Sequence, residues 1–372
     1  MKKLLLFALS LSCLTSLAQP AGTYYQAADG KKGTELKTTL FQIISPHEMQ
    51  SYTPGVWNAI NSYDIREDGK IWEIYSGISN FTPKVDQDKG EDIDEEGRVY
   101  NREHAMPKSW FNEGSGATDY PMYTDLHHLF PTDRAVNSIR SNWPYGEVDK
   151  SRTPTKQSAG GFSKFGICDP SIGYTILNGT ARVFEPNDEY KGDLARVYFY
   201  MATCYEAYKT GGGKDRSPKD WDKGDKTMLD GTIFPFFKEW AVKMLLRWAQ
   251  QDPISEKEVK RNEGIYGIQK NRNPFVDYPG LEQYIWGSYT DVAFSYDNYA
   301  KPETTGILEL HKAFAPSADD NIYDLRGQRH DGSRLKKGVY IRRGRKVVVM
   351  CSGLFLDSYI FTINIKHLHT YQ

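Results

Sequence analysis

Two short runs of the sequence concentrate residues that could carry out chemistry. The first, NREHAMPKSW, spans residues 101–110 and sets a carboxylate beside an imidazole, at Glu103 and His104. The second, DLHHLFPTDRAVNSIRSN, spans residues 125–142, and three of the eight histidines of the chain lie between His104 and His128. Such crowding is compatible with chance, with a structural metal site or with a catalytic centre.

The residue types in these runs match what the hydrolysis of a phosphodiester requires. A water must lose a proton as it attacks, and a neutral imidazole such as that of His104 can accept this proton near pH 7. The charge that develops at phosphorus and on the leaving oxygen must be neutralised, which a Mg²⁺ ion held by oxygen ligands can do. Glu103 offers a carboxylate to such an ion, and Asn137 offers an amide oxygen from a predicted helix.

The run DLHHLF (125–130) predicts a strand, in which successive side chains point to opposite faces. On that pattern Asp125 and His127 share one face, whereas His128 falls on the face with the apolar residues. We therefore expect Asp125 and His127 to be the better site residues, as side chains that orient the metal ligands or the base.

Glu103 and His104 are neighbours in sequence, and neighbours on a flat strand face opposite ways. They can serve one site only if the chain bends or the strand ends there, and Pro107 indicates such a bend. Each residue type also has an ordinary structural interpretation, as a surface Glu-His pair, a solvated Asn or a packed His pair. A zinc site is the other alternative, but no CxxC or HExxH spacing supports it.

The elements that must position these residues are mainly helical. Apolar periodicity and helix-start signals predict helices over 33–44, 132–140, 189–208 and 235–251. Thr132 or Asp133 is expected to cap the second of these helices, and Ser255 with Glu258 forms a capping box for a further one. The acidic run 86–97 predicts a solvated loop, with a calcium site as the alternative.

The composition and net charge of the chain limit the kinds of partner that it can bind. The chain has 372 residues, 39% of them hydrophobic and 26% charged, which is typical of a soluble globular protein with a core. Its formal net charge is −1, which excludes the strongly basic class of passive nucleic-acid binders. If the partner is a polyanion, cations must be concentrated at the site or supplied by a metal ion.

The first residues read as an export signal. A basic start and an apolar stretch end at a small-x-small site before Gln19, so residues 1–18 are predicted to be a signal peptide, with lipidation at Cys13 as the alternative. The apolar stretch is short for a membrane span, and no second candidate follows it. The cysteines that remain are Cys168, Cys204 and Cys351; three cannot all pair, and a Cys168–Cys204 disulfide is one option.

The character of the sequence changes after about residue 300. Short alternating segments separated by glycines predict a small β-rich module there. The predicted organisation after the signal is a main domain (19–300), a linker (301–317), the β-rich module (318–350) and an unassigned tail (351–372). The fold class that follows is α+β, with few strands in a mainly helical main domain.

Four blocks, in this order within residues 22–290, resemble the bacterial endonuclease I family of secreted or periplasmic nucleases, which have a ββα-metal (His-Me finger) core. The blocks are NREHAMPKSWF, DLHHLFPTDRAVNSIRSNWPYGEV, FEPNDEYKGDLARVYFYMAT and RNEGIYGIQKNRNPFVDYP. The resemblance implies His104 as the general base, Glu103 and Asn137 as ligands of one Mg²⁺, for which Mn²⁺ or Ca²⁺ could substitute, and Asn142 as a residue that fixes the local turn. It also implies cleavage of DNA and RNA to products with 5′-phosphate ends.

The resemblance further implies cationic contacts to phosphate. Arg140 and Arg272 are expected to be phosphate-binding or structural arginines. Some relatives place a phosphate-clamping arginine between the two main motifs, whereas here none occurs between Arg102 and Arg134. We therefore expect Lys108 or Arg140 to take that place.

The sequence therefore predicts a monomeric, Mg²⁺-dependent endonuclease, secreted, on the cell surface or in the periplasm, that contacts the backbone of DNA, RNA or both. The segment 321–350 also resembles the C-terminal sorting modules of secreted proteins from Bacteroidetes-type bacteria. Two alternatives are an RNA-only nuclease that uses the 2′-hydroxyl as nucleophile and a non-catalytic binding or adhesion protein on a nuclease fold.

Overall fold

The computed structural model divides the chain into two units, Met1–Glu303 and Thr304–Gln372. It describes residues 22–91, 94–111, 120–172, 181–207, 228–302, 322–324, 329–330, 338–342 and 345–349. The predicted signal peptide with Cys13, nearly all of the predicted linker, Cys351 and the predicted tail lie outside the described residues.

The first unit combines helices with two small sheets. Its helices are α1 (Gly33–Ile44), α2 (Gly55–Tyr63), α3 (Lys108–Phe111), α4 (Pro121–Thr124), α5 (Arg134–Arg140), α6 (Lys191–Cys204), α7 (Glu239–Gln251), α8 (Glu256–Gln269), α9 (Pro274–Asp277) and α10 (Glu282–Trp286). Its strands are β1 (Tyr100–His104), β2 (Leu129–Asp133), β3 (Lys156–Gln157), β4 (Lys164–Ile167) and β5 (Arg182–Glu185). Strands β1 and β2 form an antiparallel pair, and β3, β4 and β5 form an antiparallel sheet in that order. The α+β architecture is therefore confirmed.

Helix α6 forms the centre of this unit. Every residue of α6 is buried, and the helix packs against α1 on one side and α7 on another. The predicted apolar stripes provide these contacts, since α1 buries Leu36, Leu40 and Ile44 along one face. Burying a side chain of this size contributes roughly 1.5–3 kcal/mol, so the helical periodicity of the sequence accounts for the core.

Local capping signals also act as predicted. Ser255 accepts a hydrogen bond from the backbone N–H of Glu258, and the Glu258 side chain accepts one from the backbone of Ser255, which completes the capping box of α8. Helix α5 begins at Arg134 and is capped by Asp133, one of the two expected caps, whereas Thr132 belongs to β2.

The strand predicted over 125–130 was wrong in its first half. Residues Leu126–His128 form a single 3₁₀ turn, and the strand begins only at Leu129. The carboxylate of Asp125 accepts a hydrogen bond from the backbone N–H of His127 at 2.9 Å. Because such side-chain-to-backbone bonds favour turns over strands, the period-two alternation does not apply to the two histidines.

Three further expectations concern the Cys168–Cys204 disulfide, a calcium site in the acidic loop and membrane-spanning segments. Cys168 and Cys204 are both buried and unpaired, so the disulfide considered for them is absent. The predicted acidic loop is described except for residues 92–93, and no group of three or more His, Cys, Asp or Glu in the described part of the chain is placed to hold a metal ion. No helix in the described ranges is both long and apolar enough to cross a bilayer.

The second unit contains a small antiparallel sheet. Its strands are β6 (Ile322–Asp324), β7 (Arg329–His330), β8 (Gly338–Arg342) and β9 (Arg345–Val349), in the order β7-β6-β8-β9. All four lie within the stretch for which the sequence predicts a β-rich module.

Glu282 in α10 is a buried acid that makes the stability of the first unit depend on pH. Its Oε2 atom is buried without a hydrogen-bond partner, and burial raises the pKa of Glu282 to about 7 from 4.5. The folded protein therefore binds this proton more tightly than the unfolded chain, and stability is lost as pH rises from about 4.5 through 7. Because glutamine stays neutral, we expect Glu282→Gln to raise the free energy of unfolding by about 1–3 kcal/mol at pH 8 and by little at pH 4.5.

Urea denaturation at the two pH values measures this effect. Glu239→Gln is the matched control, because Glu239 lies in the exposed pair with Lys243, and a change of under about 0.5 kcal/mol is expected there at both pH values. An equal effect of Glu282→Gln at pH 4.5 and pH 8 would contradict the assignment of a raised pKa.

Candidate active site

The antiparallel pair β1–β2 and helix α5 bring the two sequence runs together. Glu103 lies opposite Phe130 and His104 opposite Leu129, at the last two positions of β1. Helix α5 follows β2 directly, with the Asp133 carboxylate accepting hydrogen bonds from the backbone N–H groups of Ala135 and Val136 in its first turn. Strand β1 therefore ends at His104, and a strand end here is what the sequence requires if the neighbours Glu103 and His104 are to serve one site.

The Glu103 carboxylate is buried and held from two sides. Its Oε1 accepts a hydrogen bond from the Tyr75 hydroxyl at 2.9 Å and forms an ion pair with Nη1 of Arg140 at 3.2 Å. Burial raises the pKa of Glu103 to about 6, although Arg140, Tyr75 and the Asn137 side chain each lower it. Tyr145 supports this arrangement, since its hydroxyl bonds to that of Tyr75 and its ring lies 4.8 Å from the Arg140 guanidinium carbon. The carboxylate is thus fixed in orientation.

The Asn137 side chain is hydrogen-bonded to Glu103, and its amide group is fixed by a second contact. Its Nδ2 donates to Oδ1 of Asn101 at 2.9 Å, and the Thr132 hydroxyl donates to the same oxygen at 3.2 Å. With Nδ2 engaged, the Oδ1 atom of Asn137 is left as an acceptor. The donor set of one carboxylate and one amide oxygen fits Mg²⁺, which is bound by few protein oxygens and keeps several waters.

His104 is held in one tautomer. Its Nε2 lies 2.9 Å from the backbone oxygen of Tyr123, and because a carbonyl can only accept, Nε2 carries the proton and Nδ1 carries the lone pair. The ring lies against the rings of Tyr52 and Tyr123. Burial lowers the pKa of His104 well below 6.5, and the neighbouring His128 lowers it further. The imidazole is therefore neutral near pH 7 and can accept a proton at Nδ1.

His128 corrects the expectation drawn from strand alternation. Its ring centre lies 5.4 Å from that of His104, so the histidine assigned to the core face is the one beside the candidate base. Its Nε2 bonds to the backbone oxygen of Met122, and its Nδ1 is buried without a hydrogen-bond partner. Two successive residues of α4 thus orient both imidazoles through their backbone oxygens.

Asp125 and His127 make their hydrogen bonds within the turn and to the helical core, and none of these bonds is to His104, the candidate base. The Asp125 carboxylate accepts hydrogen bonds from Tyr200, Tyr205 and Gln269, at 2.8, 2.6 and 2.9 Å. Burial would raise its pKa, but the imidazoles of His47, His127 and His128 and the hydrogen bond from Tyr205 prevail and hold the pKa of Asp125 well below the usual range. His127 bonds through Nε2 to the backbone oxygen of Asn271 and packs on Tyr200. Both residues connect the turn to the helical core.

The two arginines expected to contact phosphate or to be structural are both engaged inside the protein. Arg140 is 1% exposed, and besides Glu103 it donates to the backbone oxygens of Ala105 and Ser141. Arg272 is buried and pairs with Asp277 at 2.7 Å and Glu263 at 2.6 Å. These contacts favour the structural role for both guanidinium groups.

Lys108 and Asn142 lie at the surface. The Lys108 ammonium is 5.8 Å from the centre of the Tyr123 ring, which places this cation near His104. Asn142 is exposed after α5, with its Nδ2 at 3.5 Å from the Ser109 hydroxyl. Lys108 is therefore an exposed cation near the candidate base, His104.

Sequence reasoning missed several residues that shape the site. Tyr75 and Tyr145 approach Glu103 from remote parts of the chain, and no local signal marks them. Asn101 could have been found, because period-two alternation sets it on the same face of β1 as Glu103. The backbone oxygen of Tyr123 carries no side-chain signal at all.

Residues 32–280 match the family model described as Endonuclease I. An extracellular ribonuclease of Bacillus subtilis (strain 168) is 37% identical over 282 residues, which cover 73% of this chain and 83% of the relative. An extracellular ribonuclease of Bacillus amyloliquefaciens is 36% identical over 286 residues, which cover 76% and 84%. A periplasmic deoxyribonuclease of Aeromonas hydrophila is 24% identical over 166 residues, which cover 45% and 52%.

Proposed function

The chain belongs to the endonuclease I family and is a nuclease, and we propose from this premise that it is a secreted, metal-dependent endonuclease that hydrolyses DNA and RNA without sequence specificity. One observation carries the proposal beyond the family. The Nε2–H group of His104 is bound to the Tyr123 backbone oxygen, which leaves Nδ1 as the proton acceptor, and the buried carboxylate of Glu103 belongs to the preceding residue at the end of β1. A neutral base and an anionic oxygen ligand at the same strand end are the two groups that water-mediated phosphodiester cleavage needs.

In this proposal each side chain has a distinct task. Nδ1 of His104 accepts the proton of the attacking water, and the Tyr123 oxygen stabilises the positive charge that the ring then carries. The ion pair with Arg140 keeps the Glu103 carboxylate charged and oriented although burial raises its pKa. The bond from Asn137 to Asn101 keeps the amide oxygen available.

Glu103 and Asn137 are the residues that would hold one Mg²⁺, and Mn²⁺ or Ca²⁺ offer the same preference for oxygen ligands. When bound, the ion neutralises the charge that develops at the phosphorus and on the leaving 3′-oxygen. Departure of that oxygen leaves a 5′-phosphate on the other product.

The proposal also covers the location of the protein and its oligomeric state. The names of the relatives place them outside the cell or in the periplasm, which supports a secreted, cell-surface or periplasmic enzyme. The small C-terminal sheet is proposed to serve in sorting, and the enzyme to act as a monomer.

A second candidate is a nuclease restricted to RNA. The relatives that are 37% and 36% identical are both named ribonucleases, which favours this candidate. A 2′-hydroxyl nucleophile would leave a cyclic phosphate, whereas a water nucleophile does not require the 2′-hydroxyl and acts on both polymers. The non-catalytic alternative is not supported, because the family and the named relatives are nucleases.

Removal and return of the metal tests the proposal. We expect the EDTA-treated protein to leave supercoiled plasmid and a long RNA intact, and Mg²⁺ to restore cleavage of both with 5′-phosphate ends, because the charge at phosphorus then has a counterion. Intact DNA beside RNA that ends in cyclic phosphate would support the RNA-only candidate instead. Cleavage that persists in EDTA would contradict the metal, and no cleavage of either polymer by folded, metal-loaded protein would contradict the proposed function.

A further inference from the structure

Arg102, which precedes the Glu103–His104 pair, has no carboxylate within ion-pair distance among the residues that the structure describes. In the described part of residues 22–302, only Arg102 and Arg182 among the arginines lack a carboxylate within ion-pair distance. Asp88 acts on Arg102 electrostatically but is itself paired with Arg134, at 3.7 Å. Arg102 is half-buried, and a partly desolvated cation without a counterion is costly unless an anion binds it.

The guanidinium group of Arg102 is fixed in its plane by aromatic and polar contacts. Its central carbon lies 3.5 Å from the centre of the Tyr52 ring and 4.4 Å from that of Trp57. Nη1 donates to the backbone oxygen of Tyr52 and, at 3.0 Å, to the hydroxyl of Thr53. Nε and Nη2 donate to no residue that the structure describes, so two of the three nitrogens are available to a ligand.

This group is adjacent to the candidate base. Side chains two apart on a strand share a face, so Arg102 and His104 project from the same side of β1. The Tyr52 ring contacts both, since it also stacks on the His104 ring at 6.0 Å with an interplanar angle of 21°. Arg102, Tyr52 and His104 thus form one continuous surface, which we call the Arg102–Tyr52 surface.

We propose that Arg102, held on Tyr52, binds a backbone phosphate of the nucleic-acid strand next to the phosphate that is cleaved. This inference rests on the proposed nuclease function and assigns a part of its substrate site. A planar guanidinium with free donors matches phosphate oxygens, and stacking on an aromatic ring fixes it in advance. Phosphates recur along the strand at every nucleotide, so a strand whose scissile phosphate reaches His104 brings a neighbouring one to this surface.

The proposal also explains how an enzyme with a formal net charge of −1 could contact a polyanion. Arg140 and Arg272 are ion-paired inside the protein, whereas Arg102 and Lys108 flank His104 with their charges unpaired in the described residues. Contacts to phosphate carry no sequence information, which agrees with cleavage without sequence specificity.

Substitution of Arg102 in the full-length protein tests the inference. We expect Arg102→Gln to raise KM for DNA by about tenfold or more with a much smaller change in kcat, because a charge-assisted contact is lost equally in the ground state and the transition state. The plot of log K against log salt, measured for a fluorescein-labelled single-stranded 12-mer in EDTA, should become shallower by about 0.7. Arg102→Lys keeps the charge and should keep the slope, while KM rises because the planar fork is lost.

Arg182→Gln is the matched control, since Arg182 also lies over an aromatic ring, that of Phe165, without an ion pair. It should leave KM and the salt slope unchanged. An unaltered KM and slope in folded Arg102→Gln would overturn the inference, as would a loss confined to kcat and thermal stability. If Arg102→Gln does not fold, Arg102→Lys decides, and an unchanged KM there overturns it. Wild-type protein that cleaves neither DNA nor RNA would contradict the proposed nuclease function. The binding measurement in EDTA needs no cleavage, so it tests the phosphate contact of Arg102 separately from that function.

Discussion

Replacement of His104 by alanine is expected to lower the rate of plasmid nicking by about 10²–10⁴-fold, the usual contribution of a general base. The reason is specific to one atom, because the bond from Nε2 to the Tyr123 oxygen leaves only Nδ1 to accept the proton of water. The loss should appear in kcat, with KM little changed, since His104 makes no charged contact to the substrate in this mechanism. Initial rates of nicking with excess Mg²⁺ measure it, beside circular dichroism to establish that the variant is folded.

His47→Ala is the matched control for this loss. His47 bonds to the backbone oxygen of Ser45 and packs on the edge of the Tyr205 ring, outside the cluster around Glu103. Its replacement should leave the nicking rate within about threefold, as for most substitutions away from the reacting atoms. If His104→Ala cleaves as fast as the wild type, the base lies elsewhere, and His128 with its partnerless Nδ1 is the next candidate.

Replacement of Arg140 by methionine is expected to lower the free energy of unfolding by about 3–5 kcal/mol. The substitution removes the guanidinium and leaves the buried Glu103 carboxylate with an uncompensated charge at neutral pH. The backbone oxygens of Ala105 and Ser141 lose a donor as well. Urea denaturation at pH 7.5 measures the change, and Arg152→Met, which removes an exposed ion pair with Asp149, should cost under about 1 kcal/mol.

A double-mutant cycle separates the ion pair from the other contacts of Arg140. If the pair with Glu103 dominates, Arg140→Met combined with Glu103→Gln should be destabilised by clearly less than the sum of the single changes. A folded Arg140→Met of normal stability but with a shallower salt dependence of DNA binding would contradict the structural role and identify Arg140 as a phosphate contact.

These two predictions assign different tasks to neighbouring groups. His104 touches the reacting water in the proposed mechanism, whereas Arg140 acts through Glu103 and is a positioning residue. Burial raises the pKa of Glu103 and the Arg140 charge lowers it, and with both acting the pKa is about 6, so the carboxylate is mostly charged at neutral pH with Arg140 in place.

Much of the fold was predictable from local patterns. The apolar spacing over 33–44 gave the bounds of α1 as the structure has them, and the capping box at Ser255 and Glu258 marked the start of α8. These signals depend on residues within one or two helical turns, so a short window of sequence contains them. The prediction of a strand over 125–130 was wrong although the interaction that decides this segment is also local. One local hydrogen bond, from His127 to Asp125, replaced the strand by a turn.

The sequence by itself determined which chemistry was available. Glu103, His104 and Asn137 are adjacent or lie within motifs, and their types alone suggest a neutral base beside oxygen ligands. Only the tertiary structure decided how these groups are used. Tyr75, 28 positions from Glu103, and the Tyr123 oxygen, 19 positions from His104, set the orientation of the carboxylate and the tautomer of the imidazole.

The arginines show the same difference between what the sequence determines and what the tertiary structure decides. Sequence could not separate Arg140 from Arg102, since both lie in the two motif runs and both are cations. Folding buries Arg140 against Glu103 and leaves Arg102 stacked on Tyr52, with no carboxylate of the described residues paired to it. The physical reason is that residue type fixes a charge, whereas burial and the partners within a few ångströms, which come from remote parts of the chain, fix whether that charge stabilises the fold or remains available to a ligand.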